Sequence, residues 1–155
     1  MRVRDVMTLN PMTIDPEAPL ETATAIMRER GLRHLPVVDD AGRLVGIVSD
    51  RDLRSVALGP VLADYASPGQ RRRLSELASE LDNLRVRHAM TWHAVTTGPD
   101  VPAAQAAAVM ADARIGSLPV VEHERLVGIL TERDLLIALA ATLPSLKGDP
   151  DDYFW

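Results

Sequence analysis

A ten-residue stretch occurs twice in this chain, as LVGIVSDRDL at residues 44–53 and as LVGILTERDL at residues 126–135. Each copy begins with a short apolar run that holds one glycine, and such a run predicts a buried strand. The Ser/Thr-x-x-Asp that follows is typical of the first turn of a helix. The stretch therefore predicts two equivalent junctions between a strand and a helix.

The sequence around these junctions also repeats. Met7-Thr8 returns as Met90-Thr91, and HLPVV at 34–38 returns as SLPVV at 117–121, in both cases 83 residues later. From the next strand onward the offset is 82, so the second copy is one residue shorter in the turn between its strands. We therefore expect one structural unit written twice, over residues 3–54 and 86–136.

Each unit is predicted to have the order β-α-β-β-α, which makes the chain an α/β protein of two pseudo-symmetric halves. A short extended segment opens each unit, at Thr13-Ile14 and at Thr96-Thr97. An amphipathic helix with a proline at its start follows. The PVV strand and the LVG strand then form a hairpin. The last helix is expected to begin near Asp50 in the first copy and Glu132 in the second.

Two pairs of equivalent positions carry local expectations. Gly31 is predicted to close the first helix. Arg114 stands at that place in the second copy, so we expect its helix to end differently. Gly46 and Gly128 interrupt buried strands, which indicates the close approach of another backbone or of a ligand.

Two stretches lie outside the repeat. Residues 55–85 form an insertion, in which Gly59-Pro60 is predicted to interrupt regular structure. Leucines on one face predict a helix over residues 70–84 that packs on the module or on a partner. The second unit is expected to reach residue 142, and residues 143–155 form an acidic tail that ends in Tyr-Phe-Trp.

Composition narrows the classes of function. With 155 residues, 46% of them hydrophobic, the chain can bury a sizeable core. Its net charge of −5 is unfavourable for a dedicated nucleic-acid binder. Because the chain has no cysteine, disulfides and thiolate metal sites are excluded. The sequence carries neither a signal-peptide pattern nor an apolar run of membrane length, so we expect a cytoplasmic protein with no membrane partner.

The duplicated pattern resembles a pair of cystathionine-β-synthase (CBS) domains, often called a Bateman module. The resemblance is carried by the Met-Thr pairs, the Leu-Pro-Val-Val strands, the Leu-Val-Gly-Ile strands and the Ser/Thr-x-x-Asp-Leu junctions. It implies two intertwined halves with clefts between them, and a homodimer of such pairs. It also implies a regulatory module that binds AMP, ADP, ATP or S-adenosylmethionine, acts on a client protein, and has no catalytic cofactor.

The family pattern further implies a role for individual residues. Asp52 and Asp134 match the aspartate that bonds the ribose hydroxyls, and a cleft is expected to combine the aspartate of one unit with the first segment of the other. The remaining ligand-binding positions match as follows: Ser49 and Thr131 near ribose or phosphate, Arg51 and Arg133 near phosphate, His34 and Ser117 at a strand entry that faces phosphate, and Thr13, Ile14, Thr96 and Thr97 around adenine.

Plainer interpretations of the same residues stay open. Both Ser/Thr-x-x-Asp motifs also fit helix capping boxes, which would explain their spacing without a ligand. His34 fits a half-buried polar position, and the pair could serve as a ligand-independent dimerisation scaffold. Neither a nucleophile–base pair nor a metal-binding spacing of His88, His93 and His123 stands out, so we expect no enzyme and no metal site.

Overall fold

The computed structural model of the protein describes residues 1–63 and 83–142. These residues form two compact units, and each unit takes its chain from more than one place. The first unit comprises residues 11–63, 83–95 and 123–126. The second comprises residues 1–10, 96–122 and 127–142.

The helices and strands follow the expected order in both repeats. The α-helices of the described residues are α1 (Leu20–Arg30), α2 (Asp50–Ala63), α3 (Val86–Ala89), α4 (Ala103–Ala113) and α5 (Glu132–Thr142). The six strands are β1 (Thr8–Leu9), β2 (His34–Val38), β3 (Leu44–Ser49), β4 (Thr91–Trp92), β5 (Ser117–Glu122) and β6 (Arg125–Thr131). Each predicted β-α-β-β-α unit is therefore confirmed, with the first β element reduced to an isolated bridge.

The first unit is built on a three-stranded antiparallel sheet in the order β2-β3-β4. Leu35 pairs with Val48 across the hairpin, and both are fully buried in a core that also contains Ala23 and Met27 of α1. The alternation of a strand sends every second side chain to the opposite face. One face of the sheet therefore supports the core, and the other carries His34 and Ser49.

The second unit repeats this arrangement with a sheet in the order β1-β6-β5. Its core combines Leu118, Val120 and Leu130 from the strands with Ala106 and Met110 from α4. Large aliphatic side chains and alanines fill both cores, which agrees with the low content of aromatic residues in the sequence.

The third strand of each sheet comes from an arm at the start of the other repeat. Thr8 of β1 pairs with Ile129, and Thr91 of β4 pairs with Ile47. A fully buried valine anchors each arm, Val3 in the second unit and Val86 in the first. The repeated Met-Thr pairs therefore mark edge strands, which the sequence pattern had not predicted.

The arms explain the two glycines within the central strands. A Cβ atom on Gly46 would collide with the carbonyl oxygen of Thr91 and lie 2.5 Å from the Met90 methyl group. A Cβ atom on Gly128 would lie 2.6 Å from the sulfur of Met7 and 3.0 Å from the Thr8 carbonyl oxygen. The close approach predicted at these glycines is thus that of a backbone.

The expectation that the two first helices end differently was wrong. Arg114 adopts a left-handed conformation with φ 55° and ψ 43°, close to the φ 64° and ψ 31° of Gly31. In both copies the next residue donates a backbone hydrogen bond to the helix, from Leu32 to Met27 and from Ile115 to Met110. Because Leu32 and Ile115 also pack against the cores, their burial imposes the same exit on glycine and arginine alike.

The insertion and the tail are described only in part. Helix α2 runs through Gly59 and Pro60 to Ala63, so the predicted interruption was wrong. The helix predicted over 70–84 falls mostly, and the tail 143–155 entirely, outside the described residues. No helix within 1–63 or 83–142 has the length and apolarity needed to cross a membrane.

Replacing Gly46 by alanine tests the contact between the arm and the sheet. The new methyl group must displace the backbone of β4, so we expect the free energy of unfolding to fall by about 1–3 kcal/mol. Gly98→Ala is the control, because its Cβ would meet only the Val101 side chain at an ordinary 3.7 Å. Urea denaturation measures both variants, and equal effects would contradict the contact.

Candidate functional site

The first strand-to-helix junction is held by its own aspartate. Oδ2 of Asp52 accepts hydrogen bonds from the Ser49 backbone N–H at 2.8 Å and from the Ser49 hydroxyl at 2.7 Å. In return the Asp52 backbone N–H lies 3.2 Å from the Ser49 hydroxyl oxygen. This reciprocal pairing is a capping box, with Ser49 as the N-cap residue of α2.

The second junction has the same geometry. Oδ2 of Asp134 accepts from the Thr131 backbone N–H at 2.8 Å and from its hydroxyl at 2.7 Å. The Asp134 backbone N–H lies 3.3 Å from the Thr131 hydroxyl oxygen. The capping interpretation of both motifs is therefore confirmed.

Capping engages only half of each carboxylate. Among the described residues, Oδ1 of Asp52 and Oδ1 of Asp134 accept no hydrogen bond from another protein group. An ionised carboxylate offers about four lone-pair sites on its two oxygens. One aspartate can therefore cap its helix through Oδ2 and bond a ligand through Oδ1.

The predicted strand-entry residue of the first repeat lies beside the cap. His34 is the cross-strand partner of Ser49, and directly opposed residues of an antiparallel pair share a face of the sheet. That face points away from the core that Leu35 and Val48 occupy. The imidazole, the serine hydroxyl and the cap are thus neighbours at one end of the sheet.

The first extended segment runs along the same strand. Ile14 forms a parallel bridge with Val37, its N–H donates to the Pro36 carbonyl at 3.1 Å, and its carbonyl accepts from the Val38 N–H at 3.0 Å. Ile14 is buried, whereas Thr13 before it is half-buried. The segment, the histidine and the cap of one repeat therefore belong to one unit.

The second repeat brings the equivalent residues together. Thr97 forms a parallel bridge with Val120, and its N–H donates to the Pro119 carbonyl at 3.1 Å. Ser117 begins β5, at the same end of the sheet as Thr131, and is buried with 6% exposure. Thr96 is exposed and Thr97 is half-buried.

An arginine follows each N-cap residue by two positions. Arg51 and Arg133 are exposed, and within the described part of the chain neither forms an ion pair. The neighbouring Asp50 pairs with Arg54 at 3.1 Å instead. Both predicted phosphate-binding arginines are therefore available at the helix entrance.

The glycines do not contribute to a binding slot. The space beside Gly46 and Gly128, where a ligand was one of the two expected neighbours, is filled by Met90 and Met7 with the following arm residues. The repeated Met-Thr pairs mark these arms in the sequence, but they do not indicate which strand each arm joins. Residues 1–63 and 83–142 also hold no group of three or more His, Cys, Asp or Glu side chains placed to bind a metal ion.

Comparison with known families and proteins gives a consistent result. The family model of the CBS domain matches residues 3–59 and 86–141. A CBS domain-containing protein of Dictyostelium discoideum is 32% identical over 142 residues, which cover 91% of this chain and 92% of that protein.

Solved structures of CBS pairs share the fold. The structure of CBSX2 from Arabidopsis thaliana in complex with AMP superposes with a TM-score of 0.73 at 27% identity, covering 91% of this chain and 97% of the other. The CBS pair of protein MJ0100 in complex with 5′-methylthioadenosine and S-adenosyl-L-methionine gives 0.70 at 26% identity, covering 90% and 99%.

Several curated relatives are much longer enzymes. The chain spans only 21–23% of homoserine O-acetyltransferases, inosine-5′-monophosphate dehydrogenases and an L-aspartate semialdehyde sulfurtransferase. What these enzymes share with it is a segment of about this length.

Removing the capping carboxylate tests the structural half of its role. Asp52→Ala and Asp134→Ala each remove the acceptor of the N-cap residue's N–H and hydroxyl, so we expect about 1–2 kcal/mol less stability in urea. Asp→Glu at either position should stay within about 0.5 kcal/mol, because glutamate is the usual partner in a capping box. Asp112→Ala, on the exposed side of α4, is the control; a loss as large there would contradict the capping role.

Proposed function

The chain belongs to the CBS domain family as a tandem pair, and from this premise we propose that it is a regulatory module that binds adenosyl ligands. The ligand class is AMP, ADP, ATP or S-adenosylmethionine. The module itself catalyses no reaction, and a partner protein responds to whether its sites hold a ligand. Two structural relatives, one in complex with AMP and one in complex with 5′-methylthioadenosine and S-adenosyl-L-methionine, support the adenosyl class.

The observation that carries the proposal is the divided carboxylate. Asp52 and Asp134 each cap a helix through Oδ2 while Oδ1 takes no bond within the described residues. The adjacent hydroxyls of a ribose are donors that a free carboxylate oxygen can accept. A cap alone needs only the first oxygen, so a ligand gives the second oxygen a role.

The surroundings of each cap suit the rest of a nucleotide. The N-terminus of a helix presents backbone N–H groups and a positive partial charge to phosphate. Arg51 and Arg133 can add charge-assisted hydrogen bonds there. Thr13-Ile14 and Thr96-Thr97 run beside the same strands and would border the adenine.

Catalysis has no support in the arrangement of these groups. The hydroxyls of Ser49 and Thr131 donate to the capping carboxylates at 2.7 Å, so they are committed to structure. A nucleophile needs a base that takes its proton during reaction, and a carboxylate held in a capping box serves the helix instead.

Calorimetric titration tests the ligand class. We expect saturable binding of AMP, ATP or S-adenosylmethionine to the wild-type protein. Asp52→Glu and Asp134→Glu should keep the capping bonds but move the second carboxylate oxygen away from its position in aspartate. We therefore expect each variant to weaken ligand binding at its own site at least about tenfold.

The control for this experiment is the thermal unfolding of each variant, which should match the wild type without ligand. Bound ligand should raise the melting temperature by mass action. If none of the three ligands produces heat or shifts the melting temperature, the proposed function is wrong.

A second candidate function is assembly, which a specific surface of the second unit favours. Leu136, Ile137 and Leu139 of α5 are 65%, 56% and 52% exposed. Leu136 and Leu139 line a groove between α4 and α5, together with alanines of α4. Exposing this much apolar surface to water has an unfavourable free energy, so we expect a partner to cover this face.

We propose that a second copy of the chain covers this face. A ridge of leucines next to a floor of alanines is self-complementary, as the symmetric contact of a twofold dimer requires. Among the described residues, Glu132 is the one charged side chain that lines the groove, and Met1 also lines it. The corresponding groove of the first unit is lined by Arg28, Arg33, Asp50 and Arg54 and is far less suited to pairing with itself.

Introducing charge on α5 tests the dimer. Leu136→Glu and Leu139→Glu should convert a dimer into a monomer in sedimentation equilibrium, because buried unpaired carboxylates oppose association. Thr24→Glu, on the groove of the first unit, is the matched control and should leave the dimer intact. A wild-type monomer, or a dimer that survives both leucine variants, would contradict this interface.

A further inference from the structure

Both units contain a groove of the same construction, between the first and the last helix of each repeat. In the first unit it lies between α1 and α2, and in the second between α4 and α5. Met27 and Leu53 line the first groove. Their counterparts in the repeat, Met110 and Leu135, line the second. The two grooves therefore share an apolar lining that is common to both copies.

The side chains beside this apolar lining differ in charge. Arg28 and Arg54 line the first groove. At the equivalent positions of the repeat, Ala111 and Leu136 line the second groove. Arg33 adds a third guanidinium group to the first. The partner that we propose for the second groove, an apolar surface of a second copy, therefore does not suit the first.

The arginines of the first groove are available to a partner. Within the described residues, Arg28 and Arg33 are exposed and form no ion pair. Arg54 pairs with Asp50, the one acidic residue among the described residues that line this groove. The groove has a volume of about 440 Å³, within the roughly 300–1,000 Å³ typical of binding pockets. Apolar surface with surplus positive charge at its edge fits a partner that is both apolar and acidic.

One segment of the chain itself has this chemistry. Residues 149–155 read DPDDYFW, so three aspartates are followed by a tyrosine, a phenylalanine and a tryptophan. Three of the five aromatic residues of the chain stand in this acidic aromatic segment. Carboxylates form paired hydrogen bonds with guanidinium groups, and aromatic rings both stack on guanidinium groups and cover apolar surface. The segment therefore matches both features of the first groove.

The second groove does not suit the same segment. Thr142, the last residue of α5, lines this groove, so the chain leaves the described residues beside it. Glu132 is its one charged side chain within the described residues, and it opposes the approach of further carboxylates. Charge complementarity therefore favours the first groove as the place where the segment binds.

We propose that the groove between α1 and α2 binds the acidic aromatic segment, residues 149–155. The aspartates of the segment pair with Arg28 and Arg33, and its aromatic rings cover the apolar lining. Asp50, Leu53 and Arg54 of this groove belong to α2, the helix that Asp52 caps, so the segment lies against the helix that begins at the candidate site. The proposal needs no ligand at that site and stands apart from the proposed function.

The fluorescence of Trp155 tests whether the segment is bound. The chain has two tryptophans, so Trp92→Phe leaves Trp155 as the only one. Trp92 is 49% exposed, and phenylalanine can replace it without opening a cavity in the core. In this full-length background we expect Trp155 to emit at shorter wavelength than a solvated tryptophan and to resist quenching by acrylamide, because binding removes the indole from water. The emission of a fully solvated tryptophan would overturn the proposal.

Charge reversal locates the contact. Arg28→Glu combined with Arg33→Glu should shift the emission of Trp155 to longer wavelength and raise its quenching by acrylamide at least about twofold, because carboxylates then face carboxylates. Asp151→Arg with Asp152→Arg should have the same effect from the side of the segment. All four changes together should restore the protection.

Arg30→Glu is the matched control, because Arg30 is also exposed on α1 but is not a lining residue of the groove. It should leave the emission of Trp155 unchanged, and an equal loss of protection there would overturn the proposal. A Trp155 that stays protected when Arg28 and Arg33 are both reversed is bound elsewhere, for example on the leucines of α5, and this too would overturn it. Melting temperatures close to that of Trp92→Phe show that the variants fold.

Discussion

The hydrogen bonds from Ser49 and Thr131 to the capping aspartates fix how each strand enters its helix. Without them, the backbone N–H groups and hydroxyls of Ser49 and Thr131 would lose their acceptor, and the direction of each helix relative to its sheet would be less strongly set. The same bonds engage Oδ2 of each carboxylate. Under the proposed function, one side chain in each repeat would therefore serve both stability and ligand recognition.

The arms add a second constraint. Each three-stranded sheet is completed by residues that precede the other repeat, and Gly46 and Gly128 leave room for the arm backbone. A repeat cut out of the chain together with its own arm would thus lack the edge strand of its sheet. This explains why two short repeats are found as a pair, since neither completes its sheet alone.

Much of this architecture could be predicted from the sequence, because it depends on local patterns. The apolar run before Ser49 and the Ser/Thr-x-x-Asp spacing fix a strand and a capped helix over a few residues. The strand additions by Met7-Thr8 and Met90-Thr91 could not be predicted, because pairing between distant segments leaves no periodic signal. Arg114 was misjudged for a similar reason: burial of the next residue, which is a tertiary effect, sets its left-handed conformation.

Within the first repeat the structure places the predicted strand-entry residue beside the capped junction, but the sequence alone did not distinguish the chemical roles of the candidate residues. Capping and ligand binding require the same Asp52, and only atomic geometry shows that one oxygen is engaged. A crystal structure of the protein with AMP would test this division most directly. The account predicts Oδ2 of Asp52 still bonded to Ser49 and Oδ1 within about 2.5–3.0 Å of a ribose hydroxyl. AMP bound away from both aspartates, or a ribose that displaces Ser49 from Oδ2, would contradict it.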